Sequence, residues 1–284
     1  MKIVITGAGG QLGKELVEAL SAQKNQVFPY TKEQLDITNR EQIKRIFSEI
    51  EPNIIINCAA FTSVDVCEDE VEKAYVVNGI GPYYLGMEAN LYNARLIHIS
   101  TDYVFAGDKG LPYKEDDATN PQTTYGKSKL LGEELLLQNC DDLLIIRTSW
   151  LYGHEGDNFV NTMVNLSKKL STLKVVNDQV GSPTYTKDVS AAILSLMSGK
   201  FGIYHVTNSG SCSWYEFARE IMKHVNPLVD VIPITSDEYV FKTPRPSYSV
   251  LDNGKLSGSG MKLRDWKSSL KNFLEKEYDI HHAN

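Results

Sequence analysis

The chain has 284 residues, of which 42% are hydrophobic and 23% charged, an ordinary globular composition that excludes collagen-like, coiled-coil and wholly disordered chains. At about 150 residues per domain, this length gives two units, or one large domain with an appended lobe. Lysine and arginine number 29 against 36 acidic residues, a net charge of -7, and with no basic block to track a phosphate backbone the sequence argues against a nucleic-acid partner.

The first apolar run, Ile3-Val4-Ile5, reads as a strand, and Gly7-Ala8-Gly9-Gly10-Gln11-Leu12-Gly13 follows it directly. Gly7, Gly10 and Gly13 keep a GxxGxxG spacing. Glycines so placed permit a tight turn and let backbone amides approach a pyrophosphate at a helix N-terminus, which points to a dinucleotide. An ATP-binding P-loop fails here, because Ala8 stands where a glycine is needed and Glu15 where serine or threonine is needed. Leu12, Leu16, Val17 and Leu20 then recur at helical spacing.

The second strand, around Val27-Phe28, ends in Tyr30-Thr31-Lys32. An acidic residue there would bind the adenosine ribose and repel a 2′-phosphate; hydroxyls and the Lys32 cation instead predict NADPH as the preferred cofactor, with NADH left open. Asp36-Ile37, slightly downstream, is placed to border the adenine. Ile43, Ile46, Phe47 and Ile50 mark a second helix, and Ile54-Ile55-Ile56, Leu96 to Ile99 and Leu143 to Ile146 mark three further strands. Such continuous apolar runs suit strands covered on both faces, so the alternation predicts a doubly wound parallel α/β sheet with ligands at the carboxyl ends of its strands. The acidic run Glu68-Asp69-Glu70 reads as a solvated helix start.

Ser100-Thr101-Asp102-Tyr103 directly follows the Leu96 to Ile99 strand, so Thr101 is positioned to hydrogen-bond a substrate oxygen at the sheet edge. In Tyr125-Gly126-Lys127-Ser128-Lys129 the tyrosine and the second lysine share one helix face. An ammonium near a phenol favours the phenolate, so Lys129 is expected to tune Tyr125 and to hydrogen-bond the nicotinamide ribose.

The second half is less regular and reads as a smaller lobe, with strand-like Lys174-Val175-Val176 and Gly202 to Val206. Its clearest helix starts at a capping-box pair, Ser213 and Glu216, ahead of Phe217, Ala218, Ile221, Met222 and Val225. Trp214 reads as a packing aromatic. His281-His282 lacks companion ligands, and no catalytic metal is expected. A boundary near residue 150 divides a dinucleotide-binding domain, 1–150, from a mainly substrate-binding lobe, 151–284, with a cleft between them as the substrate site. Cys58, Cys67, Cys140 and Cys212 form no CxxC pair, and no apolar stretch nears the roughly 20 residues of a membrane span, so a cytoplasmic protein without membrane association is expected.

With these motifs in place, the chain resembles the extended short-chain dehydrogenases/reductases, and within them the dTDP-4-dehydrorhamnose reductases. The resemblance rests on GAGGQLG, Asn57-Cys58-Ala59-Ala60-Phe61-Thr62, STDYVF from Ser100, YGKSK, Arg147 to Tyr152, Asn177-Asp178-Gln179 through Thr184, and Arg245-Pro246 before Ser249 to Asp252. It implies a Rossmann-type sheet and reduction, by NADPH, of a 4-keto group on a nucleotide-linked 6-deoxyhexose, with Tyr125 as proton donor and Lys129 as its partner. It also implies that Gly10, Gln11 and Leu12 line the pyrophosphate, Asp36 and Ile37 the adenine, and Ala60, Phe61 and Thr62 the middle of the cofactor. By the same resemblance, Thr101, Asp102 and Tyr103 are expected to contact the sugar, with Trp150 beside it. Dehydratases of the superfamily carry a glutamate where Tyr103 stands, which disfavours elimination; an epimerase and a non-catalytic dinucleotide-binding subunit are the other readings of the fold. Some relatives dimerise around a metal held by glutamates. Glu15 matches one of these, but Lys187 replaces another, so a homodimer is left as an option.

Overall fold

A computed structural model describes residues 1–154, 156–239 and 242–278; His281-His282 lies outside the described residues. The five apolar runs form β1 (Lys2–Thr6), β2 (Gln26–Tyr30), β3 (Ile54–Asn57), β4 (Arg95–Thr101) and β5 (Leu143–Thr148). Together with the strand Gly202–His205 they make one parallel sheet in the order Gly202–His205, β5, β4, β3, β1, β2. Strand succession reverses between β1 and β3, and that switch point leaves a crevice at the carboxyl ends of the strands. Pro29 sits in β2, an edge strand, where its missing N–H costs no ladder bond.

Alternate residues of each strand feed opposite cores. Ile3, Ile5, Ile54, Ile56, Leu144 and Ile146 pack with Leu12, Leu16 and Leu20 of α1 (Gln11–Ser21) and with Val189 and Ile193 of the helix Thr186–Leu196. On the other face Val4, Ile55, Leu96 and Ile145 meet Ile43 and Phe47 of α2 (Arg40–Ile50). Two short helices, α3 (Val64–Asp69) and α4 (Val71–Tyr75), follow β3, and a π-helical turn, Val76–Ile80, leads into α5 (Gly81–Leu91). The helix that carries Tyr125 and Lys129 is α6 (Thr124–Asn139); Leu85 of α5 and Leu136 of α6 join the Val4 core.

The acidic run keeps its expected role only at Glu70, the exposed residue at the N-cap of α4. Glu68 and Asp69 close α3 instead of opening a helix, and Glu68 accepts from Thr124 N (2.8 Å) and Thr124 Oγ1 (2.6 Å). Its carboxylate therefore anchors the start of α6, where negative charge suits the helix dipole.

The C-terminal part packs the helices Phe159–Ser167, Trp214–Val225 and Trp266–Glu277 around Val160, Val164, Phe217, Ile221, Leu270 and Phe273. The predicted capping box is formed: Glu216 N donates to Ser213 Oγ and Ser213 N to Glu216 Oε2. Strand Gly202–His205 and helix Thr186–Leu196 return to the large sheet from beyond residue 150, so the chain crosses between the two parts. No helix among the described residues is long and apolar enough to cross a membrane.

Candidate active site

One cavity of about 910 Å³ runs from the glycine loop, over the carboxyl ends of β3, β4 and β5, to the C-terminal part. At its first end Gly7 takes a left-handed φ of +65°, and a Cβ there would lie 2.5 Å from Ala59 N. A Cβ on Gly13 would lie 2.3 Å from Gly7 O, so only glycine lets α1 start this close to β1. Gly10, at the N-cap of α1, offers no side-chain cap, and the first turn holds no acidic residue. The leading amides of α1 are thus available to an anionic ligand, the electrostatic requirement of a pyrophosphate. Gln11 spans the cavity mouth: its Nε2 donates to Asp157 O (3.2 Å) and its Oε1 accepts from Asn158 Nδ2 (3.1 Å).

At the centre, Thr123 caps α6 by accepting from Gly126 N (3.0 Å), which sets the helix so that Tyr125 and Lys129 face β4. Burial pushes the Tyr125 phenol above its ordinary pKa, and a hydrogen bond with Thr101 acts in the opposite direction. The phenol therefore carries its proton at neutral pH. Lys129 Nζ donates to Ile99 O (2.6 Å) and lies 3.2 Å from His98 Nε2, and the group that acts against the upward shift of the phenol is Thr101 rather than the expected Lys129. Burial draws Lys129 down to about 8, while Glu133 and Cys58 act in the opposite direction. Asp102, buried and bonded to Thr101 Oγ1 (3.0 Å), is pushed up to about 6 by burial. Tyr103 packs edge-on against Tyr125 with ring centroids 5.5 Å apart.

The far end is aromatic. Trp150, held at φ 47°, stacks on Trp214 at 3.5 Å between centroids and 6° between planes. Gly181 makes this possible, because a Cβ there would sit 2.4 Å from Trp150 Cε2. Gly181→Ala is expected to dislodge Trp150 and, on the expectation that Trp150 lies beside the sugar, to raise KM for the substrate by about tenfold or more with kcat changed far less. Steady-state kinetics decide it; an unchanged KM removes Trp150 from substrate binding.

Of the residues singled out in the sequence, Gly7, Gly10, Gln11, Leu12, Gly13, Ala60, Thr62, Thr101, Asp102, Tyr103, Tyr125, Lys129 and Trp150 all line this cavity. Lys32 and Asp36 line a second, shallower cavity with Lys73 and Val76. Thr31, Ile37 and Phe61 line neither. Thr31 lies beside the loop, its Cγ2 3.6 Å from where a Gly9 Cβ would stand; Ile37 is buried in the core against Gly81; and Phe61 lies under the Lys73 ammonium. Sequence reasoning missed Trp214, whose packing role is only half of what it does, and Asn78 of the π-turn. Asn78 bonds both Phe61 N (2.8 Å) and Phe61 O (2.9 Å) and reaches Ser128 Oγ (3.0 Å), fixing the Ala60 to Thr62 segment against α6. A π-turn at a functional site was a usable signal only in three dimensions. Among the described residues no cluster of three or more His, Cys, Asp or Glu is arranged to hold a metal.

A glycine-loop switch point and a Thr-Tyr-Lys trio at the carboxyl edge of a doubly wound sheet define an oxidoreductase of the extended short-chain dehydrogenase/reductase class. The family model described as RmlD substrate binding domain matches residues 1–279, and the chain belongs to that family. It is similar to the spore coat polysaccharide biosynthesis protein SpsK of Bacillus subtilis (strain 168), with 49% identity over 97% of each chain. A dTDP-4-dehydrorhamnose reductase of Aggregatibacter actinomycetemcomitans is 41% identical over 95% of this chain and 97% of its own. The crystal structure of dTDP-4-dehydrorhamnose reductase from Bacillus anthracis in complex with NADP superposes with a TM-score of 0.95 and 42% identity, covering 97% of this chain and 99% of that one.

Proposed function

We propose that this protein is an NADPH-dependent dTDP-4-dehydrorhamnose reductase that reduces the 4-keto group of dTDP-4-dehydro-L-rhamnose to give dTDP-L-rhamnose. The observation that carries the reading is the continuity of one cavity, with the open start of α1 at one end, the Trp150-Trp214 stack at the other, and Thr101, Tyr125 and Lys129 between them. The residues suit the cofactor independently of its relatives. The Ser100 and Thr148 hydroxyls, buried at the ends of β4 and β5 and lacking partners, line the same cavity and are free to bond a polar ligand.

Reduced nicotinamide supplies the hydride. Tyr125, protonated at neutral pH, donates its proton to the carbonyl oxygen as charge develops there. Thr101 Oγ1 donates to Asp102 Oδ1 (3.0 Å), which holds its hydroxyl beside the phenol and helps to orient it. Trp150 and Trp214 present apolar ring surface to the sugar nucleotide. Residues 1–150 serve mainly the cofactor and 151–284 mainly the substrate, and the reading places the enzyme in the cytoplasm, where four free thiols are stable. Lys32, exposed beside the shallow second cavity, supplies the cation that favours a 2′-phosphate.

The test is to incubate the pure protein with dTDP-4-dehydro-L-rhamnose and either reduced cofactor, following nicotinamide absorbance and identifying the product sugar by NMR. Consumption of NADPH with formation of the 4-hydroxy sugar is expected. No oxidation of either cofactor overturns the reading, and equal kcat/KM with NADH overturns the cofactor preference.

A further inference from the structure

Beneath the cavity four side chains from four elements form one hydrogen-bonded file. Thr6 Oγ1 donates to Asn57 Oδ1 (2.7 Å), Asn57 Nδ2 meets His98 Nδ1 (3.0 Å), His98 Nε2 faces Lys129 Nζ (3.2 Å), and Nζ donates to Ile99 O (2.6 Å). Thr6, Asn57 and His98 are fully buried and Lys129 is 2% exposed, so no solvent satisfies these groups. The reaction described above uses only the last of the four.

Donors and acceptors along the file follow from one backbone amide. Ala59 N–H can only donate, and it bonds Asn57 Oδ1 at 3.1 Å, which fixes the oxygen and turns the amide NH₂ toward His98. His98 Nδ1 must then accept. Burial alone is enough to hold this imidazole neutral, and a neutral ring with an accepting Nδ1 carries its proton on Nε2. That N–H points at Nζ. An ammonium has three donors and no acceptor, whereas an amine has a lone pair to receive it.

We infer that Thr6, Asn57 and His98 are positioning residues that hold the Lys129 nitrogen and favour its amine form over the ammonium. A proton arriving on Nζ from solvent removes the lone pair and so breaks the bond to His98. Ile99 O accepts from either form and keeps the side chain tethered. The other groups facing Lys129 do not cancel this preference for the amine. Glu133, one turn beyond on α6, and Cys58, just after β3, favour the charged form. However, the Glu133 carboxylate is already committed to Arg147 of β5, and burial pushes the Cys58 thiol up to about 12, leaving it neutral. The charge assignment concerns the ligand-free chain alone; its bearing on proton delivery rests on the reductase reading.

The test uses the ligand-free full chain labelled with 15N-histidine and 13Cε-lysine. Long-range proton–nitrogen correlation is expected to show His98 neutral with its proton on Nε2, and Lys129 is expected to titrate at least one pH unit below the exposed lysines, tenfold in acidity. His98→Gln, whose amide can still donate, keeps that midpoint low, while His98→Leu raises it by about one unit. A proton on Nδ1, a Lys129 titrating with the exposed lysines, or an unchanged midpoint in His98→Leu overturns the proposal. Should His98→Leu not fold, the tautomer and midpoint of the unsubstituted protein still decide. No cofactor or substrate is present, so failure here leaves the reductase reading standing, and failure of the turnover assay leaves this one.

Discussion

Tyr125→Phe is expected to lower kcat by about 10² to 10⁴, the scale of general acid catalysis, while cofactor affinity changes little. The phenol oxygen is the only atom removed. Burial keeps that oxygen protonated and the Tyr103 ring packed edge-on fixes the side chain, so the ring of phenylalanine keeps its place while the proton is gone. Charge appears on the substrate oxygen only as hydride arrives, so the loss falls on the transition state and KM is nearly unchanged. Steady-state turnover with a fluorescence titration of bound NADPH separates the two effects. Turnover within a few-fold of the parent enzyme would show that another group supplies the proton.

Glu133→Ala is expected to cost about 3–5 kcal/mol of stability, the usual result of stripping one partner from a buried ion pair. Arg147 Nε lies 3.0 and 3.2 Å from the two Glu133 oxygens and Nη2 lies 2.6 Å from Oε2, with side chains only 3% and 1% exposed. After the substitution the guanidinium keeps a 3.4 Å contact to Glu115 O and its place over the Phe105 ring, neither of which replaces a carboxylate. Glu133→Gln retains an acceptor and should lose less. Urea unfolding of the three proteins measures the order; a loss below about 1 kcal/mol for alanine would mean that the pair does not hold α6 to β5. Because α6 carries Tyr125 and Lys129, this pair also keeps the trio over β4.

The residues that sequence reading places at the cavity are those whose position depends on neighbours along the chain. The glycine spacing, the Tyr125-Lys129 face and the Thr101 position at a strand end each follow from a local period or junction. Trp214 and Asn78 follow from none. Trp214 reaches the site because Gly181 lets Trp150 lie flat against it, which joins three residues from distant parts of the sequence. Asn78 does so because the π-turn brings it onto Phe61 and Ser128. Glu68 was misread for the same reason: its composition suits a solvated helix start, but its partner is the start of another helix, 56 residues on.

Sequence alone determined the doubly wound sheet, the glycine turn between β1 and α1 and the placement of Tyr125 and Lys129 one turn apart on α6, because repeating apolar patterns and short fixed spacings are properties of the covalent chain. Tertiary structure alone decided the charge environment of that pair. A lysine at helical spacing from a tyrosine is expected to lower the phenol, yet here its nitrogen is turned to Ile99 O and His98, and Thr101 acts against the upward shift of the phenol instead. Desolvation and the direction of a buried hydrogen bond depend on which elements close over a residue, and only the folded chain brings those elements together.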